Sequence, residues 1–369
     1  MGQAKPRITG YQLFLTAYVS ANATGLLSQP TMMANAAGED LWIPPLLGCL
    51  GGLLLSWAVY KLHALYPGRS LVQAAELALG KAAGKLASAF YLLFMLYTTS
   101  LVLRQFSDFI SQNFLVQTPT VVVASSLLAV CAIASKSGVE VICRIPVVFI
   151  PVLFGLLALI FVPTFSAPNH YPISWPHNPG GWLLGAYVMQ VWNAVFVFST
   201  FYLPFVAKDS KPFLWTMLTP VAFAVTMSAL NWVVLLAMGQ ATAMYNYPFM
   251  TISRNVSFFE FFEHLESIVM MVWVVCIFVR FAFTLYALAV GLAQLFQLPS
   301  EKPLIFPAAL LHILFGFWGI KNVQFASKLN LADPTITVLA GMLLPLLIWA
   351  AAHVRKAAGS KSRKPNPTA

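Results

Sequence analysis

Ten long apolar segments, separated by prolines and charged residues, dominate this sequence. A helix needs about 20 mostly apolar residues to cross the hydrocarbon core of a bilayer, and the segments are close to that length. Only 9% of the 369 residues are charged, whereas soluble domains carry roughly 25%. We therefore predict an all-α integral membrane protein with a single transmembrane domain at residues 1–354 and a basic cytoplasmic tail at residues 355–369. The ten predicted spans are residues 9–36, 42–65, 86–113, 119–135, 141–163, 181–206, 213–240, 266–296, 303–320 and 335–354.

The basic residues are distributed unevenly between the two sides of the predicted bundle. With both termini inside, sixteen of the 21 Lys and Arg residues fall on the cytoplasmic side. Arg254, Lys321 and Lys328 fall on the outer side, and Arg104 and Arg280 fall within spans. Positive charge is enriched in the cytoplasmic loops of membrane proteins. The bias therefore supports both the orientation and the number of spans.

The first span contains a stretch of small and polar residues at positions 20–30, which ends in Pro30. A helix that loosens inside a bilayer frees backbone N–H and C=O groups, so a break is tolerated only where protein or a polar cavity covers it. Transporter folds use such broken helices to hold solutes near the bilayer midplane. A Pro-kinked helix whose small residues allow tight packing explains the same pattern. The sequence of this segment leaves both interpretations open.

The sixth span also contains polar residues within an apolar stretch. They are Gln190, Asn193, Ser199 and Thr200, and Pro204 follows them. If the chain is an inverted repeat of five plus five spans, the first and sixth spans occupy corresponding positions. Paired interruptions at such positions indicate a binding site near the midplane.

Three charged side chains lie within predicted spans, where burial is costly and such groups face protein or a cavity. Arg104 and Asp108 are four residues apart on the third span, so they share a helix face and are predicted to form a structural ion pair. Arg280 lies deep in the eighth span, and Thr284 is one turn further along. Two roles remain open for Arg280, which are contact with a central cavity and contact with a structural partner.

The sequence lacks the signatures of enzyme and metal sites. It has no P-loop, no catalytic triad pattern and no H-E-x-x-H motif. The four cysteines have no metal-ligand spacing and are interpreted as small apolar residues, and His312 is interpreted as a packed or boundary histidine. Asp108 is the one acid clearly within a span, which argues against a proton-driven pump. We predict no enzyme activity, no metal, no cofactor and no nucleic-acid partner.

The connection at residues 247–266 is apolar and acidic, and its apolar residues recur at helical spacing. This pattern predicts a short amphipathic helix lying over the outer face. The helix is either a lid over a central site or a surface element that merely covers apolar area.

Several short motifs follow one another along the chain, from GLLSQP at 25–30 to FEHLES at 262–267. In these motifs the chain resembles one known family, the spore germinant receptor B subunits. These belong to the endospore germination permeases, within the amino acid–polyamine–organocation superfamily. The resemblance extends over nearly the whole chain and depends on the order of several short motifs. The motifs are GLLSQP at 25–30, AAGEDLW at 36–42, YPGRSL at 66–71, LGK at 79–81, LRQFSDFI at 103–110, SGVEV at 137–141, LPFV at 203–206 and FEHLES at 262–267.

The resemblance implies a LeuT-like fold, built as a 5+5 inverted repeat with broken helices 1 and 6. It implies a subunit that senses a small-molecule germinant, often an amino acid, in the spore inner membrane, with both termini in the spore core. An A subunit and a C lipoprotein are the implied partners. The implied pocket residues are Ala23, Thr24 and Gly25 in the first span, Tyr97 and Leu101 in the third, Asn193 and Ser199 in the sixth, and Arg280 and Thr284 in the eighth.

The sequence departs from that family in the sixth span. Many members carry a Gly-x-Glu motif before the proline that matches Pro204, whereas residues 195–200 here read VFVFST. Together with the positive charge of Arg280, this departure indicates a pocket suited to a carboxylate or another anion. A secondary amino acid transporter of the same fold and a purely structural scaffold remain alternative hypotheses.

Overall fold

The computed structural model describes residues 7–166, 171, 175–255, 265–319 and 334–361. Within these ranges the chain is helical, and the only β-type pairing is a single bridge between Ile8 and Val206. The all-α prediction is therefore confirmed. The α-helices are α1 (Gly10–Ala37), α2 (Ile43–Leu65), α3 (Leu71–Leu79), α4 (Lys81–Asn113), α5 (Thr120–Ser137), α6 (Val139–Ser166), α7 (Pro179–Val188), α8 (Gln190–Asn193), α9 (Pro212–Met238), α10 (Pro248–Asn255), α11 (Leu265–Leu295), α12 (Ile305–Trp318) and α13 (Leu344–Lys361).

Over the described residues, the predicted spans match helices in chain order. They correspond to α1, α2, α4, α5, α6, the segment that begins with α7, α9, α11, α12 and the segment that ends with α13. Seven helices in the described ranges are long and apolar enough to cross a membrane. The short helix α3 was not predicted. The predicted tail begins as helix because α13 continues to Lys361, and residues beyond 361 lie outside the described part of the chain.

The first span is not broken, which corrects the prediction. α1 is a continuous helix of 28 residues with Pro30 inside it. Its polar side chains bond within the helix. Thr16, Ser20, Asn22 and Ser28 each donate a hydrogen bond of 2.6–3.0 Å to the carbonyl one turn earlier in the same helix. A carbonyl has two lone pairs and can accept such a donor beside its helical N–H, so these bonds are compatible with a continuous α1.

The sixth span is interrupted, as predicted. α7 is followed by a turn at Met189 and the single turn of α8, and the chain then tightens into 3₁₀ helix at Ala194–Phe201 and Leu203–Phe205. A 3₁₀ helix bonds residue i to i+3, so the change of helix type redirects the backbone carbonyls near the middle of the span.

Two amides at this interruption bond to the neighbouring helix α2. Asn193 Nδ2 donates to the Gly48 carbonyl at 2.9 Å and to Gln190 Oε1 at 2.9 Å. Gln190 Nε2 donates to the same carbonyl at 3.1 Å and to the Ala186 carbonyl at 2.8 Å. This close approach requires glycine on α2, since a Cβ atom at Gly51 would lie 2.4 Å from Gln190 Oε1.

Helix α1 is surrounded by α6, α7, α9, α10 and α11, and α4 packs against α5, α11 and α12. The described part of the predicted amphipathic helix is α10, which buries Phe249, Met250 and Ile252 beside α1, α9 and α11. Residues 256–264 of that prediction lie outside the described residues. This packing brings α1, α4, α11 and the sixth span together around one cavity.

Candidate solute-binding site

A cavity of about 60 Å³ lies between α1, α4, α11 and the sixth span. Because one water needs roughly 10–15 Å³ of such space, the cavity suits a solute of about four to six non-hydrogen atoms. Its polar lining residues are Thr24, Ser28, Thr98, Gln105, Arg280 and Thr337. Its apolar wall includes Met32, Phe94, Leu101, Trp192 and Phe198. A mostly apolar wall with a few polar groups is the usual construction of a small-molecule site.

Arg280 supplies the charged group of this cavity. Its side chain is only 6% exposed, and its Nη1 donates a 2.8 Å hydrogen bond to the Ser20 carbonyl of α1. A guanidinium stays protonated in proteins and carries five N–H donors. One donor is used on α1 while the side chain also faces the cavity, so Arg280 can interact with an anionic group bound there.

The neutral polar groups of the cavity can accept hydrogen bonds. Ser28 Oγ donates to the Thr24 carbonyl at 3.0 Å, and Thr98 Oγ1 donates to the Met95 carbonyl at 3.2 Å. A hydroxyl that donates its one proton keeps two acceptor lone pairs. These oxygens are therefore suited to a donor group on the solute, such as an ammonium.

The structure brings some of the predicted site residues together and separates others. Thr24, Leu101 and Arg280 line the cavity. Thr284 does not line it, and its hydroxyl bonds back to the Arg280 carbonyl at 3.0 Å. Tyr97 and Ser199 are near the site in sequence but are not lining residues.

Three further predicted residues have other environments. Gly25 faces α9, since a Cβ atom there would lie 2.9 Å from Met227 Sδ. Asn193 uses its amide at the interruption of the sixth span. Ala23 is fully buried, and its carbonyl accepts a hydrogen bond from Trp273 Nε1. These contacts are structural, and none of the three residues lines the cavity.

Several lining residues were missed by the sequence argument. Thr98 and Gln105 lie three residues before and four residues after Leu101, so helical periodicity places all three on one face of α4. Ser28 is related to Thr24 in the same way. These residues could have been found from that spacing. Thr337 could not, because it lies at the start of a π-helical segment, Thr337–Leu343, which no sequence pattern indicated.

The Arg104–Asp108 ion pair and His312, which were predicted to be structural, lie outside the cavity lining. Arg104 Nε is 2.8 Å from Asp108 Oδ2, and the guanidinium lies 4.8 Å from the centre of the Phe317 ring. His312 is buried between α4 and α12, with Nε2 2.7 Å from Thr99 Oγ1. None of these residues lines the cavity.

On the predicted outer side, two adjacent carboxylates join the ends of helices. Asp40 Oδ2 accepts hydrogen bonds from Trp182 Nε1 at 2.7 Å and from the backbone N–H groups of His177 and Asn178 at 2.9 Å each. Burial of Asp40 favours its neutral form, but these donors outweigh burial and lower the pKa of the carboxyl. Glu39 accepts from Tyr171 Oη at 2.6 Å. The end of α1 is thereby connected to the start of α7.

On the predicted inner side, the backbone itself makes the connection. The Arg7 N–H donates to the Phe205 carbonyl at 2.9 Å, and the Ala207 N–H donates to the Ile8 carbonyl at 3.0 Å. The first and sixth spans are therefore joined at both of their ends, with the cavity between them.

Comparison with known sequences identifies the family. A profile of the spore germination protein family matches residues 7–322. The chain belongs to this family. Spore germination protein KB of Bacillus subtilis (strain 168) is 24% identical over 97% of this chain and 98% of its own length. Putative spore germination protein YfkT of the same organism is 22% identical over 97% of this chain and 99% of its own.

Comparison with solved structures identifies the fold. Mhp1, a nucleobase-cation-symport-1 family transporter, superposes with a TM-score of 0.60 at 15% identity, over 93% of this chain and 80% of its own. A Na⁺-coupled sialic acid symporter superposes with a TM-score of 0.56 at 15% identity, over 91% of this chain and 79% of its own. The predicted LeuT-like transporter fold is confirmed. The chain is a multi-pass membrane protein with a transporter-type fold.

Proposed function

We propose that this protein is the germinant-sensing transmembrane subunit of a spore germination receptor and that it binds an amino acid or a similar small carboxylate in the cavity. The observation that carries the proposal is the position of Arg280, a buried cation that lines the cavity and contacts α1. The family assignment supports the germination role. The size of the cavity supports a solute no larger than a small amino acid.

The geometry supports a specific pose for such a solute. Its carboxylate would pair with the Arg280 guanidinium, because charge-assisted hydrogen bonds are about twice as strong as neutral ones. Its ammonium would reach the hydroxyl oxygens of Ser28 and Thr98 on the facing helices. Sensing also requires that the solute bind two conformations of the protein with different affinities, because only a differential affinity shifts the equilibrium between them.

The proposed receptor includes an A subunit and a C lipoprotein in the spore inner membrane, with both termini of this chain in the spore core. The excess of basic residues on one side of the bundle supports this orientation. Co-purification of this chain with both partners from spore membranes tests the assembly. Recovery of this chain without either partner would contradict it.

A second candidate function is secondary transport of an amino acid, which the two superposed transporters favour. Transport and sensing use the same cavity but differ in outcome. Concentrative uptake of a radiolabelled amino acid by vesicles reconstituted with the purified protein would favour transport. Binding without uptake would favour sensing.

Binding can be tested with the full chain in detergent micelles. The twenty proteinogenic L-amino acids are screened by thermal shift, and each one that binds is compared with its carboxamide, in which a neutral amide replaces the carboxylate. Arg280→Ala should weaken the amino acid by about 10- to 100-fold, which is the loss expected for a hydrogen bond to a charged group. The carboxamide should be affected far less.

The matched control is Arg144→Ala. Arg144 forms an exposed salt bridge of 3.3 Å with Glu140, far from the cavity lining, so its removal should leave solute binding unchanged. An equal loss for the amino acid and its carboxamide in the Arg280 variant would make Arg280 a structural residue. A complete absence of binding by all twenty amino acids would overturn the proposed function.

A further inference from the structure

Two side chains of α11 hold α1 by its backbone carbonyls. Arg280 Nη1 donates to the Ser20 carbonyl at 2.8 Å, and Trp273 Nε1 donates to the Ala23 carbonyl at 2.5 Å. The two donors are seven residues apart, or about two turns, so they lie on one face of α11. The two acceptors are three residues apart and share a face of α1. We call this pair of contacts the α1–α11 clamp.

The clamp does not replace the internal bonds of α1. A backbone carbonyl has two lone pairs, so it can accept an external donor in addition to its helical N–H. α1 therefore remains a regular helix while α11 grips it from the side. Both donors are buried, with Trp273 and Arg280 each 6% exposed, which strengthens the contacts because water cannot compete for them.

Arg280 belongs to both the clamp and the cavity. An ionised carboxylate is a stronger acceptor than a peptide carbonyl, since hydrogen bonds between two charged groups are shorter and stronger. Because a carboxylate pairs with a guanidinium through two parallel N–H donors, it would fix the orientation of the Arg280 side chain toward the cavity and compete with the Ser20 carbonyl for that orientation. Occupancy of the cavity would then weaken one of the two contacts that hold α1 against α11.

We propose that an anionic solute draws Arg280 from the Ser20 carbonyl and so releases the α1–α11 clamp, which converts occupancy of the cavity into a movement of α1 relative to α11. This inference rests on the proposed function, because it requires a carboxylate to bind in the cavity. Trp273 is a positioning residue in this scheme, since it contacts α1 and does not line the cavity.

A second cavity provides room for the movement. It has a volume of about 50 Å³ and an entirely apolar lining between α1, α6 and α11. Val19 and Val279, which immediately precede the two residues of the Arg280 contact, line it together with Cys276. The space opens to the surface of the bundle, where Phe149, Val152 and Met271 are exposed, so a small displacement of α1 or α11 into it would bring apolar side chains together.

The movement can be measured by pulsed electron spin resonance on the full chain in micelles. Spin labels are placed on α1 and α11 by Asn35→Cys and Ser267→Cys, both at exposed positions outside the two cavity linings. Cys49 is replaced by alanine, and the other three cysteines are retained because they are buried. The probes are the twenty L-amino acids and the carboxamide of each binder. A binding amino acid should shift the label-to-label distance by on the order of 2 Å, as in other helix shifts, and its carboxamide should not.

Trp273→Phe tests the clamp without removing the charge. The phenyl ring keeps the packing against Phe106 and Phe109, whose ring centres are 5.3 and 5.0 Å away, but it cannot donate to Ala23. Release then becomes easier, so the variant should shift toward the solute-bound distance without solute and bind it about two- to tenfold more tightly. Trp57→Phe on α2, where Trp57 packs against Trp349, is the control and should change neither quantity.

The outcomes separate the two proposals. If no amino acid binds the wild-type protein, the proposed function is wrong. If an amino acid binds and the distance does not change, the clamp inference is overturned while the proposed function stands. Unchanged or weakened binding in the Trp273 variant also overturns the clamp. Arg280→Gln should lose both binding and the distance change, and a distance change that persists in that variant would show that Arg280 does not transmit it.

Discussion

The first and sixth spans contain similar polar residues, but the two spans have different structures. In α1, the side chains of Ser20 and Asn22 bond to carbonyls of their own helix, and the helix is continuous. In the sixth span, Gln190 and Asn193 bond to the Gly48 carbonyl of α2, and the helix changes type beside them. The two spans therefore differ in where the hydrogen-bond partners lie, which is within the same helix for α1 and on α2 for the sixth span. Of these two spans, the interrupted one is the span whose polar side chains bond to a neighbouring helix.

Small residues contribute differently to the two spans as well. The glycines of α2 allow the amides of the sixth span to approach its backbone, whereas Gly25 of α1 allows close packing against α9. The same residue type therefore supports an interruption in one span and tight helix packing in the other, which are the two interpretations that the sequence left open.

The largest effect is expected from filling the glycine contact of the sixth span. Gly51→Val would bring its Cβ within 2.4 Å of Gln190 Oε1 and 2.7 Å of Gln190 Cδ. The amide would be displaced from Gly48, so both overpacking and lost hydrogen bonds should destabilise the fold by about 3 kcal/mol or more. Thermal unfolding in micelles measures the loss.

Gly155→Val is the matched control for this substitution. Gly155 also lies within a helix, but a Cβ atom there would have no neighbour within 4 Å. Its replacement should leave the melting temperature nearly unchanged. If the two variants were equally unstable, the glycine contact would not support the interruption.

A smaller difference is expected from removing one polar group in each span. Asn193→Ala deletes a buried amide that bonds to two acceptors outside its own turn, and should cost about 1–3 kcal/mol. Ser20→Ala deletes a hydroxyl whose single bond returns to Thr16 of the same helix, and should cost well under about 1 kcal/mol because such bonds slightly disfavour the helix. If both variants lost the same free energy of unfolding in chemical denaturation, the location of the hydrogen-bond partner would not distinguish the two spans.

Much of the fold could be predicted from the sequence because it depends on segment length and charge. The ten spans followed from apolar segments and the distribution of basic residues, and the interruption of the sixth span followed from its polar residues. The continuity of α1 could not be predicted, because sequence does not reveal whether Ser20 bonds to its own helix or to a neighbour. The site was recovered in part for the same reason. Arg280 was identifiable as a charge within a span, but Gly25 and Asn193 contact helices that are distant in sequence.

A smaller loss of stability is expected at Gly25, which was predicted to line the pocket but packs against α9. Gly25→Ala would place its Cβ 2.9 Å from Met227 Sδ and 3.2 Å from Phe223 Cε2. Because Met227 is flexible, the variant should lose only about 1 kcal/mol of stability and should bind solute normally. Combining it with Met227→Ala should remove the overlap, although that change opens a cavity elsewhere. If the Gly25 variant kept its stability but lost solute binding, Gly25 would be a residue of the binding site.

The smallest effect is expected from the pH dependence of the outer connection between the two spans. Because the pKa of Asp40 is lowered in the folded protein, its contribution to stability is present above the ordinary pKa of an aspartate, about 3.9. That contribution is lost as the pH falls from this value through the lowered pKa of the folded protein, because the unfolded chain binds a proton there before the carboxylate that accepts from Trp182 does. Between pH 6 and pH 3 the wild type should therefore lose more stability than Asp40→Asn. The control is Asp209→Asn, at an exposed position, which should keep the pH dependence of stability seen in the wild type. If Asp40→Asn also kept that pH dependence, the connection would not depend on the charge of Asp40.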